Sequence, residues 1–120
     1  MKNFILFSLL ICSLSVYAQK KPLIEDRQKV IKKASAAFDA SMKGPEGKLY
    51  LFAKENNIKG TYDFKITLGD RGKVTSIFVL KREGGTIQMQ NIVKDAVMAI
   101  RFDFKLPKNK DYSLKYQFKF

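Results

Sequence analysis

The residues that most often carry out catalysis are scarce in this chain, which limits the chemistry that it can perform. The sequence contains no histidine, and its single cysteine, Cys12, lies in an apolar stretch near the amino terminus. A Ser-His-Asp or Cys-His arrangement is therefore excluded, and the commonest zinc ligands are missing. The serines that follow the apolar stretch do not begin a Ser-x-x-Lys motif; they are Ser35, Ser41, Ser76 and Ser113.

The remaining candidates for acid–base or phosphate chemistry have simpler structural explanations. Glu25-Asp26 is the only adjacent pair of carboxylates, and near the start of a predicted helix it suits the helix dipole. The glycine-containing stretches "LGDRG" and "KREGG" lack the spacing of a phosphate-binding loop and fit a hairpin better. We therefore expect a protein that is not an enzyme, with no cofactor and no metal.

The first residues, "MKNFILFSLLICSLSVYAQKK", have the pattern of a secretory signal peptide. Lys2 precedes an uncharged run that ends on Val16-Tyr17-Ala18, with small residues at the positions that a signal peptidase reads. We expect cleavage after Ala18, which leaves one domain of about 100 residues without cysteine. The alternatives are an uncleaved anchor, which would need about 20 mostly apolar residues, and lipidation at Cys12, which bulky Ile11 argues against. We expect a periplasmic protein with no membrane-spanning segment after cleavage; full secretion is the alternative.

The charge balance predicts attraction to anionic partners. Lys and Arg number 23 against 11 Asp and Glu, for a formal net charge of +12. A basic exported domain is drawn to lipid headgroups, acidic polysaccharides or acidic peptides, although the charge could also serve solubility alone. Nucleic acid is not expected as a partner, because the chain is exported and no aromatic-rich motif resembles an RNA or DNA platform.

Two helices are predicted before the first strand. Residues 19–44 form an amphipathic helix with Pro22 near its start, Glu25 and Asp26 in its early turns, and Gly44-Pro45 as its stop signal. Its apolar positions recur at helical spacing: Val30, Ala34, Ala37, Phe38 and Met42. Residues 45–120 form the main domain, and "KLYLFAK" at its start fits a short helix or an extended segment.

The middle of the chain predicts a β-hairpin followed by a helix. Residues 61–68 alternate apolar and polar side chains, "GDRG" supplies turn residues, and residues 73–80 return as a strand. The second strand is apolar on both faces, so we expect it to be central or covered on both sides. Thr86 is a predicted helix N-cap, and the helix carries a long apolar stripe. The expected core between sheet and helix includes Phe64, Phe78, Val93, Val97 and Phe118.

The chain closes on the strand "YSLKYQFKF", residues 112–120, which has one apolar and one polar face. The complete prediction is an α+β fold: a three-stranded antiparallel sheet (hairpin plus carboxyl-terminal strand), a long helix on one face, and an amino-terminal helix. If the last strand lies at an edge, its lysines either discourage aggregation or attract an acidic extended peptide. The candidate partner-binding residues on its polar face are Ser113, Lys115, Gln117 and Lys119.

Residues from about 45 to 120 resemble the C-terminal domain family of TonB, the energy transducer that contacts outer-membrane transporters. The stretch "KGTYDFKITLGDRGKVTSIFVLK" resembles the family's hairpin, with Asp70, Gly72 and Val74 at the signature positions. "EGKLYLFAKENNIKG" resembles the preceding short helix, and "YSLKYQFKF" resembles the closing strand. "IVKDAVMAIRFDFKLP" resembles the helix that runs into an aromatic and basic segment, here at Arg101 and Phe102.

The resemblance implies a terminal strand that pairs with an extended peptide of an envelope or outer-membrane protein, and it adds Arg101 to the partner-binding residues. The chain has only three prolines and thus lacks the family's proline-rich linker. We therefore expect an interaction module rather than an energy transducer. The alternative function is a basic envelope protein that binds anionic glycan or lipid headgroups electrostatically.

Overall fold

The computed structural model describes residues 21–120, and the expected signal peptide, residues 1–18, lies outside these residues. The elements follow one another as α1 (Arg27–Met42), α2 (Lys48–Glu55), β1 (Thr61–Gly69), β2 (Lys73–Glu83), α3 (Ile87–Met98) and β3 (Tyr112–Lys119). The α+β fold with one antiparallel three-stranded sheet is the one that the sequence predicts. The segment "KLYLFAK", which the sequence allowed to be either a short helix or extended, is helical and forms most of α2.

Helix α1 begins later than the sequence suggests. Asp26 is its N-cap, because its side chain accepts a hydrogen bond from the backbone N–H of Gln28 at 2.9 Å. Residues before it are extended, and Leu23 forms a parallel bridge with Lys105. The prediction that Glu25 and Asp26 occupy early helical turns is therefore wrong, since the extended segment pairs with the loop before β3 instead.

The two middle strands are joined by a tight turn. Gly72 donates its backbone N–H to the carbonyl of Gly69 at 2.9 Å, and the two residues between them have positive φ, 46° at Asp70 and 68° at Arg71. This is a type I′ turn, whose twist matches that of antiparallel strands. Gly72 also has positive φ. The positive φ values therefore fall on the charged residues of "GDRG" and on its second glycine.

The sheet order is β2-β1-β3, so β1 is the central strand and β2 is an edge. The expectation that β2 is central or covered on both sides is wrong. Phe78 on β2 is 67% exposed and Leu80 is 45% exposed, so Phe78 is not a core residue. The cause is the connection through α3, which returns β3 to the far side of β1.

The core lies between one face of the sheet and the helices. Helix α1 packs against β3 and α3 packs against β2, and α2 contacts both helices. Phe38 of α1 has its ring centroid 5.5 Å from that of Phe118 and 5.7 Å from that of Phe102. The other four expected core residues are buried, as predicted: Phe64, Val93, Val97 and Phe118.

Helix α3 is capped as the sequence predicts, because the Thr86 hydroxyl accepts a hydrogen bond from the backbone N–H of Met89 at 3.1 Å.

Within residues 21–120, no helix has the length and apolar character needed to cross a membrane.

Candidate partner-binding edge

Strand β3 has β1 on one side and leaves alternate backbone groups pointing the other way. Phe120 donates its backbone N–H to the carbonyl of Gly60 at 2.9 Å, and the register continues with Phe118 opposite Tyr62. In an antiparallel ladder, residues that hydrogen-bond to the partner strand alternate with residues whose backbone groups face away from it. The residues that face away from β1 are Ser113, Lys115, Gln117 and Lys119.

These four residues also place their side chains on the face of the sheet opposite the helices, since neighbours such as Leu114 and Phe118 point into the core. We call this face the open face. Among the backbone hydrogen bonds that the described residues make outside helices and strands, none involves these four positions. One set of residues thus offers both unpaired strand backbone and accessible side chains.

The two edges of the sheet differ in regularity. The pairing of β1 with β2 contains two register shifts, one between Asp63 and Phe64 and one between Thr67 and Leu68. The pairing of β1 with β3 is continuous from Thr61 opposite Lys119 to Leu68 opposite Tyr112. Bulges bend a strand and hinder further pairing at an edge. The β3 edge is therefore the better template for another strand.

The middle of the open face brings together two lysines and a phenylalanine. Lys65 on β1 lies opposite Lys115 on β3 and opposite Phe78 on β2. Like charges directly opposite each other destabilise a sheet by a few tenths of a kcal/mol to about 1 kcal/mol. An acidic group placed beside the two ammonium groups would relieve this repulsion. Leu80 lines the same shallow depression, which has a volume of about 470 Å³.

The other polar side chains of the open face are partly committed within the sheet. The Ser113 and Thr67 hydroxyl oxygens are 3.1 Å apart, so Ser113 already has a hydrogen-bond partner. Gln117 lies opposite Asp63, whose Oδ1 is buried and makes no hydrogen bond. A buried acceptor without a donor costs free energy.

Lys81, on the other side of Asp63, is engaged with a different carboxylate. Its Nζ is 2.7 Å from Oε1 of Glu83. This hydrogen bond and the charge attraction raise the pKa of Lys81 and lower the pKa of Glu83. Both side chains are exposed, so the pair contributes little to stability. Its effect is to draw the Lys81 charge toward Glu83 at the end of β2.

The inner face of β3 holds the strand in place. The Tyr116 hydroxyl donates a hydrogen bond to Oδ1 of Asp39 on α1, and the Tyr112 hydroxyl donates to the carbonyl of Glu25 at 2.7 Å. Burial, followed by the bond to Asp39, raises the pKa of the Tyr116 hydroxyl. These contacts fix β3 from the core side. The β3 edge is therefore anchored through its inner face to α1 and to the segment before it.

Arg101 lies apart from the four β3 residues. It forms an antiparallel bridge with Lys73 at the start of β2, on the far side of β1 from β3. Its guanidinium Nη1 is 3.3 Å from the carbonyl oxygens of Met98 and Ile100. Arg101 was added to the predicted partner-binding residues only because it lies in the aromatic and basic segment that resembles the TonB family. In the structure, the path of the loop before β3 leaves Arg101 next to β2, away from the four β3 residues.

The sequence analysis missed Lys65, Phe78 and Leu80 as residues of the open face. Lys65 stands at a polar position of an alternating strand, and this was a usable signal. The exposure of Phe78 and Leu80 had no comparable signal, because it follows from the strand order.

Within the described part of the chain, no group of three or more Asp, Glu or Cys residues could hold a metal ion. Comparison with protein-family models, with curated proteins and with solved structures found no match.

Proposed function

We propose that this protein is an exported interaction module, similar to the C-terminal domain of TonB, that binds an extended acidic peptide of an envelope or outer-membrane protein by strand addition to β3. It acts by binding and not by catalysis. The observation that carries the proposal is the regular β3 edge, in which Ser113, Lys115, Gln117 and Lys119 present unpaired backbone and open-face side chains together.

In this proposal the backbone of β3 and the side chains of the open face have different roles. Backbone hydrogen bonds along β3 supply most of the affinity, as in other strand-addition complexes. Lys115 and its neighbour Lys65 select acidic side chains on one face of the incoming strand, and Phe78 with Leu80 offers apolar contact farther across the open face. Lysines on an exposed edge also discourage unspecific pairing, so the same residues favour an acidic strand over a neutral one.

A second candidate function is electrostatic binding of anionic glycan or lipid headgroups in the envelope. The net charge of +12 supports it. Binding by charge alone weakens steeply as salt rises, whereas binding by strand pairing weakens less. The two functions are therefore separated by measuring affinity from about 0.05 to 0.5 M salt.

The test uses an acidic peptide of about eight residues that alternates Glu with Val, a length that matches a typical strand. Gln117→Pro removes an N–H that points away from β1, so we expect peptide binding to be lost while the thermal melting temperature changes little. Arg82→Pro is the matched control. Arg82 lies opposite Tyr62 on the other edge strand, and its backbone N–H also points away from β1. This variant should bind the peptide normally.

Binding that survives Gln117→Pro unchanged, or that falls equally in both proline variants, would contradict strand addition at β3. Lys115→Ala and Lys119→Ala should slow peptide association and weaken binding modestly, because these side chains steer and select rather than anchor. A loss of all binding in these two variants, together with a steep salt dependence, would favour the electrostatic function instead.

A further inference from the structure

A basic cleft lies at the hairpin end of the sheet, away from the middle of the β3 edge. It has a volume of about 890 Å³, and its walls come from residue 21, the β1–β2 turn and the loop before β3. Six cationic side chains line it: Lys21, Arg71, Lys73, Arg101, Lys105 and Lys108. We call this set the cleft cations. Segments far apart in sequence thus bring positive charge to one concave site.

The cleft is held together by backbone contacts. Leu106 donates its N–H to the carbonyl of Arg71 at 3.2 Å, and Lys105 donates to the carbonyl of Pro22 at 2.8 Å. A Cβ at Gly72 would lie 2.9 Å from the carbonyl oxygen of Phe104, so the turn packs tightly on the loop. The three walls therefore have fixed positions relative to one another.

Two of the cleft cations are oriented by carbonyl oxygens, which leave their charges intact. Lys21 Nζ donates to the carbonyl of Phe102 at 3.0 Å. Arg101 Nη1 donates to the carbonyls of Met98 and Ile100 at the end of α3. Phe102 and Phe104 also line the cleft and are themselves buried, so they tie this wall of the cleft to the core.

Carboxylates neutralise little of this charge. Two acidic residues, Asp70 and Asp111, line the cleft, and the contact of Asp70 with Lys73 is long, at 3.9 Å, and exposed. In the described residues, the other five cleft cations have no carboxylate oxygen within 4.0 Å. Residues 1–20 contain no Asp or Glu that could supply one. Among the residues that line the cleft, six cations therefore stand against two carboxylates.

We propose that the cleft is a binding site for a phosphate-bearing ligand of diphosphate size or larger. A phosphate group carries almost two negative charges in a small volume, and the planar guanidinium groups of Arg71 and Arg101 suit its oxygens. The volume lies in the range of small-molecule sites and exceeds the need of a single inorganic ion. The ligand is either a free phosphorylated molecule or the phosphate of a lipid headgroup, which share this chemistry.

The test compares two triple variants that remove the same charge from different places. The cleft variant is Arg71→Asn, Lys105→Gln and Lys108→Gln; asparagine tolerates the positive φ at position 71. The control variant is Lys29→Gln, Lys32→Gln and Lys33→Gln on the exposed side of α1. Inorganic pyrophosphate is the probe, with calorimetry for affinity, amide NMR shifts for location, and circular dichroism to verify that both variants fold.

Pyrophosphate should shift amide signals at residues 70–73 and 101–109, and the cleft variant should bind it at least about tenfold more weakly than the unaltered protein. The control variant should bind within about twofold of the unaltered protein, because exposed distant charges are screened. Equal losses in the two triple variants, or shifts spread over the whole surface, would overturn the proposal.

Vesicles separate the two sources of phosphate. Phosphatidylcholine vesicles with and without phosphatidate are sedimented with the unaltered protein and the cleft variant. Cosedimentation that needs both phosphatidate and the cleft cations assigns the site to a lipid headgroup, whereas pyrophosphate binding without cosedimentation assigns it to a soluble ligand. Failure to bind either probe would refute the proposal. Gln117→Pro should bind pyrophosphate normally, so this site and the β3 edge can fail independently.

Discussion

Replacement of Phe118 by alanine tests whether β3 is docked through the core. Phe118 is fully buried, and its ring centroid lies 5.5 Å from that of Phe38, 5.6 Å from that of Phe64 and 4.6 Å from that of Tyr116. Truncation of a buried phenylalanine costs about 3–5 kcal/mol in unfolding free energy. Three aromatic contacts place Phe118 at the upper end, because each adds about 0.5–1.5 kcal/mol beyond burial.

The matched control is Phe78→Ala, which removes the same atoms from the opposite edge of the sheet. Because the Phe78 side chain is 67% exposed, we expect a change of no more than about 0.5 kcal/mol. Guanidinium unfolding followed by circular dichroism gives both values from the midpoint and slope. Phe118→Leu serves as a milder variant if the alanine variant does not fold. Equal midpoints for Phe118→Ala and the unaltered protein would refute the docking of β3 described above.

Three further predictions follow from the turn, the helix cap and the buried tyrosines. Gly72→Ala should destabilise the protein by about 1–3 kcal/mol, more than Gly84→Ala, because a Cβ at Gly72 meets the Phe104 carbonyl at 2.9 Å whereas one at Gly84 has 3.5 Å to its nearest neighbour; equal melting temperatures would contradict this. Thr86→Ala should cost about 1 kcal/mol by urea unfolding, since the cap bond to Met89 is lost, whereas Thr86→Ser should retain most of the stability. Burial raises the pKa of Tyr62 and Tyr116 above 10.0, so the folded state resists ionisation of these phenols, and their contribution to stability should be constant below about pH 10 and fall as the pH rises further. Absorbance titration of the phenols should show both groups ionising late, and ordinary titration of all tyrosines would contradict the burial.

The sequence predicted the parts of the fold that depend on local pattern. The alternation of apolar and polar residues around Phe64 and Phe118 correctly predicted which face of β1 and of β3 is buried. Thr86 correctly predicted where α3 begins. The same pattern failed for Phe78, because two apolar faces are compatible with a central strand or with an edge that exposes apolar side chains. Only the order of the strands distinguishes these two cases, and a long connection such as the one between β2 and β3 does not specify it.

The candidate site was predictable in its side chains and not in its backbone. The polar face of the last strand was evident from the alternation that includes Lys115 and Gln117. Which N–H groups point outward depends on the register between β3 and β1, which the Phe120–Gly60 bond fixes. The basic cleft was not predictable, because its walls come from three separated segments that meet only when the extended residues before α1 pair with the loop.

The most direct test of strand addition is amide hydrogen exchange along β3, resolved by residue with NMR. Without a partner, the amides at Leu114, Tyr116 and Phe118 should be protected, while those at Lys115 and Gln117 should exchange rapidly. Addition of the acidic peptide of alternating Glu and Val should protect Lys115 and Gln117 as well, because their N–H groups then pair with the bound strand. Bound peptide without new protection at these two amides would contradict the account, as would protection of both before any peptide is added.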